Sequence, residues 1–127
     1  MAKQRLSADW PVAAEKRLRE GLSAMALPLD DAAVARLMTF LAGLVKWNQA
    51  FNLTAIRDPL TMVDKHLLDS LSLLPLIGPD SLIDIGTGAG LPGFVLALVN
   101  PEQDITLLDS NGKKTRFLKQ MAADMGM

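Results

Sequence analysis

Cysteine is absent from this chain of 127 residues, and histidine occurs once. The first absence excludes disulfides and thiolate-held metals, and the two together argue against a metal centre built by the protein. A chain without cysteine also suits a reducing compartment, so a cytoplasmic location is expected. Long apolar runs are missing too. Proline, glycine or charge interrupts each one well short of the roughly 18 residues that cross a bilayer, so no membrane partner is expected. The segment 1–27 mixes charge throughout and lacks the uninterrupted apolar stretch of a secretory signal. Neither sign of charge dominates: 13 basic against 14 acidic residues leave a formal net charge of −1. No global field therefore draws the chain toward a polyanion. What remains is a chain of one ordinary domain's length, 50% hydrophobic, without internal repeats or low-complexity segments.

The most informative segment is LIDIGTGAGLPG, Leu82–Gly93. Strand-forming residues carry one acid, Asp84, and then Gly86, Gly88 and Gly90 follow in alternation, with an apolar run FVLALV after Gly93. That order predicts a buried strand, a tight glycine turn and a helix start, as in nucleotide- and cofactor-binding α/β units. Two cofactor classes fit. Read from Gly88, the residues satisfy G-x-G-x-x-G, with Asp109 about twenty residues on, where a ribose-binding acid belongs in dinucleotide folds. Read from Asp84, the pattern D-x-G-x-G-x-G resembles motif I of the S-adenosylmethionine-dependent methyltransferases. The second reading is favoured because the glycines start directly after Ile85. An acid at the strand end also repels a pyrophosphate, whereas it attracts the ammonium and sulfonium of S-adenosylmethionine.

A second short β-rich run, DITLL over Asp104–Leu108, closes in Asp109, Ser110, Asn111 and Gly112. An acid at that position faces the same crevice as the glycine loop and suits a ribose. Its competing role is a helix cap, for which Ser110 and Asn111 are better placed. The chain before residue 79 reads as helices. Trp10–Ala26 carries Val12, Leu18, Leu22 and Met25 among charges and ends at Pro28. Asp30 or Asp31 caps a stronger helix with Val34, Leu37, Met38, Leu41, Leu44 and Val45 at helical spacing. Asp58-Pro59 opens a third, running towards Leu76 with Met62, Val63, Leu67, Leu71 and Leu74 inward. The expected division is a helical cap over 1–78 and an incomplete α/β domain over 79–127, ending in a helix over Lys113–Met125. Phe117, Leu118 and Met121 of that helix are expected to face the sheet.

The segment Asp84–Leu118, with Trp47-Asn48, Asn52-Leu53-Thr54 and HLLDSL at His66–Leu71, resembles the RsmG (GidB) family of bacterial methyltransferases. The resemblance implies an α/β chain: a helical cap followed by the first two βα units of a Rossmann-like S-adenosylmethionine-dependent methyltransferase, truncated. It implies methylation of a guanine N7 in 16S ribosomal RNA, with the small ribosomal subunit as partner and S-adenosyl-L-methionine as cofactor. Asp84, Gly86, Gly88, Gly90 and Leu91 would surround the cofactor's amino acid end, and Asp109 would hold its ribose.

His66 and Asp69, three apart on one helix, have two readings. Guanine N7 has a free lone pair and no proton to remove, so a catalytic base is not needed; the pair would orient the guanine, or simply bond to each other and tie the cap down. Lys113 and Arg116 would contact RNA phosphates or form a solvated helix face. Trp47 would stack on a base or, beside Leu44, Val45 and Phe51, belong to the core. The chain carries fewer strands than a complete methyltransferase sheet, so an unpaired strand edge and self-association are expected. Two rival classes stay open: an NAD(P)-dependent oxidoreductase and a non-catalytic RNA-binding helical module.

Overall fold

A computed structural model describes residues 8–76, 82–85, 93–100, 105–108 and 112–126, the two short strands by backbone alone. Helix α1 (Trp10–Ala24) begins with proline in its first turn, where a missing N–H costs nothing, and buries Ala14, Leu18 and Leu22. Val12, expected inward, is instead 74% exposed. The chain leaves α1 through a Schellman turn: Leu27 N–H donates to the Leu22 carbonyl at 2.9 Å and Ala26 N–H to that of Ser23 at 3.1 Å. Ala26 occupies the left-handed position, φ 52°, that glycine usually fills.

Helix α2 (Asp31–Phe51) organises the rest. Asp30 is its cap, accepting from Ala33 N–H at 2.8 Å, and so frees Asp31 to meet Arg19 at 3.1 Å. At 1.5 Å per residue its 21 residues run about 30 Å. Along that length Val34, Leu37, Phe40, Leu41, Leu44 and Val45 are buried. The helix stops at Asn52, whose left-handed φ of 52° is a conformation asparagine tolerates.

The third helical stretch is not uniform. Asp58 caps α3 (Pro59–Met62) through Thr61, then six residues, Val63–Leu68, widen into a π-helical segment before α4 (Asp69–Leu71) and a 3₁₀ turn, Leu74–Leu76. α1 lies close against the π segment. A Cβ on Gly21 would stand 2.3 Å from the Leu68 Cδ1, so the absence of a side chain sets that approach.

Beyond it come β1 (Leu82–Ile85), α5 (Gly93–Val99), β2 (Ile105–Leu108) and α6 (Gly112–Asp124). β1 and β2 pair in parallel, Leu82 opposite Ile105 through Ile85 opposite Leu108. α5 and α6 join the same hydrophobic cluster as the N-terminal helices, through Phe94, Val95, Leu98, Phe117, Leu118 and Met121. Five of the chain's six aromatic residues form one row. From Phe51 it passes to Trp47 (5.2 Å between centroids), Phe117 (5.7 Å), Phe40 (5.8 Å) and Phe94 (5.2 Å). Each such pair adds stabilisation beyond the area it buries.

This arrangement corrects the expected α/β, Rossmann-like class. Every buried core side chain among the described residues lies on a helix or, for Leu53, in the loop after α2, so the described core is helical. Helix α5 lies against β2 and also stacks Phe94 on Phe40 of α2, while α6 carries Phe117 and Met121 onto Phe40 and Gly43 of α2. The physical reason is the size of the alternatives. The two described strands are four residues each, while α2 offers seven buried apolar positions along its length.

Candidate functional site

Two places carry the residues singled out by the sequence. The first is the strand pair. Asp84 lies in β1 opposite Leu107 of β2. Since the strands are parallel and Ile85 pairs with Leu108, the chain leaves both strands at the same edge. Gly86, Gly88, Gly90, Leu91 and Asp109 lie outside the described residues. A carboxylate next to a strand end suits a cationic ligand group such as that of S-adenosylmethionine better than a pyrophosphate.

The second place is assembled from segments far apart in sequence. Asn48, on the inner face of α2, is 2% exposed, and both polar atoms of its side chain are engaged. Its Oδ1 accepts from Thr54 N–H at 2.8 Å, and its Nδ2 donates to the Ile56 carbonyl at 3.3 Å. The Thr54 hydroxyl in turn accepts from Ile56 N–H at 3.2 Å and lies 2.9 Å from the His66 Nε2. One polar network thus binds the end of α2, the loop after it and the π-helical segment. The three upstream pieces of the sequence resemblance meet here, through Asn48, Thr54 and His66.

His66 is half-buried. Desolvation holds its pKa below the ordinary 6.5, against a backbone contact with Lys65 and the Asp69 charge, which act in the opposite direction. The ring is therefore neutral at pH 7. Either tautomer satisfies Thr54, whose hydroxyl donates to a bare Nε2 or accepts from a protonated one. The expected bond between His66 and Asp69 is not formed. Asp69 stands exposed one turn along, and the partner of His66 is Thr54. Beside them, Arg17 of α1 clasps Asp64 with both carboxylate oxygens, at 2.9 and 2.5 Å. That hydrogen-bonded guanidinium holds the Asp64 carboxyl below its ordinary pKa.

Lys113 and Arg116 both sit on the exposed side of α6, whose apolar side carries Phe117, Leu118 and Met121. That helix packs on α2, where Met121 reaches Gly43 and Phe117 meets Phe40, rather than on the π segment that carries His66. Trp47 is half-buried between the rings of Phe51 and Phe117, which is the core placement. Sequence reasoning passed over Arg36, whose Nε donates to the Leu98 carbonyl at 2.6 Å and so closes the end of α5. It also passed over Phe40, although Phe40 continues the three-and-four spacing from Leu37 to Leu44. No helix among the described residues is long and apolar enough to cross a membrane.

The chain belongs to the GidB family, rRNA small subunit methyltransferase G, whose model matches residues 33–127. That span takes in α2, the Asn48–Thr54–His66 network and both strands. Relatives carry the same description. Ribosomal RNA small subunit methyltransferase G of Marinobacter nauticus is 55% identical over 119 residues, covering 94% of this chain and 54% of the relative. The proteins of that name from Alkalilimnicola ehrlichii and a Marinomonas species are 53% and 54% identical over 110 residues, 87% of this chain in each case. They are covered over 50% and 53% of their own lengths, so the chain spans about half the length of the curated relatives it matches.

Proposed function

We propose that this chain contributes the cofactor loop of a methyltransferase that transfers a methyl group from S-adenosyl-L-methionine to N7 of a guanine in 16S ribosomal RNA, acting on the small ribosomal subunit in the cytoplasm. The observation that carries the proposal is the family match across residues 33–127. The D-x-G-x-G-x-G order at Asp84–Gly90 and the shared exit edge of the parallel strands support it. In this reading the helical residues 1–78 act as a cap, and 79–127 carry the cofactor segment. Asp84 attracts the cationic end of the cofactor, Gly86, Gly88, Gly90 and Leu91 let it approach the backbone, and Asp109 accepts hydrogen bonds from its ribose.

The cofactor, when bound, supplies an electrophilic methyl group on sulfur. A guanine N7 would accept that group on its free lone pair, so no residue of this chain would need to remove a proton. Catalysis then rests on alignment rather than on a base. His66 suits that scheme. Neutral, half-buried and hydrogen-bonded to Thr54, it is a positioning residue that fixes the loop after α2 on the π segment. Lys113 and Arg116 add positive charge on the exposed side of α6, which suits RNA phosphates. Family membership weighs against the dinucleotide reading of the same glycines.

The test is methyl transfer from tritiated S-adenosylmethionine to 16S RNA by protein that carries this chain at the relatives' full length. Label in the RNA, with strand scission at one guanine after borohydride and aniline, is the expected result. Label on another atom or on protein would overturn the proposal.

A further inference from the structure

The aromatic row ends at the surface. Four of its rings are buried or half-buried, and the fifth, Phe51 at the last turn of α2, is 40% exposed with its ring held against Trp47. The next residue, Asn52, turns the chain through its left-handed conformation, and its side-chain oxygen accepts from the Nη2 of Arg57. Arg57 is exposed, and among the described residues it pairs with no carboxylate. The neighbouring Asp58 carboxylate serves the cap of α3, its Oδ2 accepting from Thr61 N–H at 3.2 Å and from Thr61 Oγ1 at 2.8 Å. A solvent-facing ring backed by Trp47 and a guanidinium tethered to Asn52 thus stand at the two ends of one short loop. The loop is immobilised from beneath by Asn48, Thr54 and His66.

We propose that this loop is a stacking ledge for the RNA substrate: an unpaired base lies on the open face of Phe51, and Arg57 takes an adjacent phosphate. The inference rests on the methyltransferase reading and adds the place where single-stranded RNA beside the target is held. Stacking on aromatic rings with cations along the backbone is how unpaired RNA is recognised, and a ring already backed by another ring loses little freedom on binding. Arg57 suits the phosphate because its planar fork of donors matches phosphate oxygens and is already oriented by Asn52.

The experiment is a fluorescence titration of the chain with a short single-stranded ribo-oligonucleotide. It uses a Trp10→Phe background, so that Trp47 alone reports. The expected result is quenching of Trp47 on binding. Phe51→Leu keeps the site apolar without the ring and should weaken binding about tenfold, the scale of one lost stack. Arg57→Gln should flatten the slope of log K against log salt by about 0.7, one phosphate contact on a single strand. Arg19→Gln, on α1 and paired with Glu15 and Asp31, should change neither. Circular dichroism identifies any variant that has lost its helices, for which Phe51→Met serves in place of leucine. Binding by the parent chain with unchanged affinity and salt slope in both variants would overturn the ledge alone. A duplex that competes as well as the single strand would also overturn it. No RNA binding by the parent would overturn the ledge, while the methyltransferase reading stands or falls separately on label transfer from S-adenosylmethionine.

Discussion

Thr54 and His66 lie 2.9 Å apart, hydroxyl to Nε2, and through that contact the loop after α2 is fastened to the π-helical segment. Burial lowers the His66 pKa below 6.5, so the folded protein prefers the neutral ring more than the unfolded chain does. The unfolded chain binds the proton first as pH falls, so the stability that His66 contributes is complete above pH 6.5 and is lost progressively below it. Urea unfolding between pH 7.5 and 5, chosen to bracket the ordinary 6.5, should show falling stability, and His66→Gln should flatten that part of the profile. The Asp64 carboxylate acts lower, its stabilisation fading only as pH falls through and beneath its ordinary 3.8. An unchanged slope between pH 7.5 and 5 in His66→Gln would show that the ring titrates freely.

Asn48 is the other half of the fastening. Replacing it with leucine leaves the Thr54 N–H and the Ile56 carbonyl without their partner beside a residue that is 2% exposed. Two partly buried groups left unpaired cost about 1–3 kcal/mol each, so Asn48→Leu should lower unfolding free energy by about 2–6 kcal/mol. A loss under about 0.5 kcal/mol, within ordinary surface effects, would show that water takes over both bonds.

Ala26 offers the opposite test. At φ 52° it holds the glycine position of a complete Schellman turn. The left-handed conformation costs an L-residue roughly 1–2 kcal/mol, part of which glycine returns through its freer unfolded chain. Ala26→Gly should therefore stabilise the protein by about 0.5–1 kcal/mol, read as a raised denaturant midpoint at constant m-value. A lowered midpoint would mean that the Ala26 methyl makes contacts worth more than its strain.

Local chemistry in this chain was legible and tertiary choice was not. Asp30 and Asp58 cap their helices as the sequence suggests, because a cap involves only residues three apart. The apolar faces of α2 and α6 also read correctly. The contacts of α6 with α2 were not legible: Phe117 and Met121 meet Phe40, Trp47 and Gly43 of that helix. A strand–glycine–helix motif specifies one unit and says nothing of which surface its helix will bury. The π widening at Val63–Leu68 has no periodic signature over six residues. Arg36 could not be assigned to Leu98, 62 residues away, from sequence spacing. For the candidate site, the Asn48, Thr54 and His66 segments were visible only as pieces of a family resemblance. Their joining into one network is a product of the fold.

The central claim, use of S-adenosylmethionine through Asp84, the glycine loop and Asp109, is tested most directly by calorimetric titration of S-adenosylhomocysteine and of NAD⁺. The protein should contain this chain at the relatives' full length, with and without Asp109→Ala. Two charge-assisted hydrogen bonds to a ribose are worth about 1.5–3 kcal/mol each, so the substitution should weaken S-adenosylhomocysteine binding at least about tenfold in a folded protein, and NAD⁺ should give no heat of binding. Tight NAD⁺ binding, or S-adenosylhomocysteine affinity unchanged by Asp109→Ala, would contradict the account.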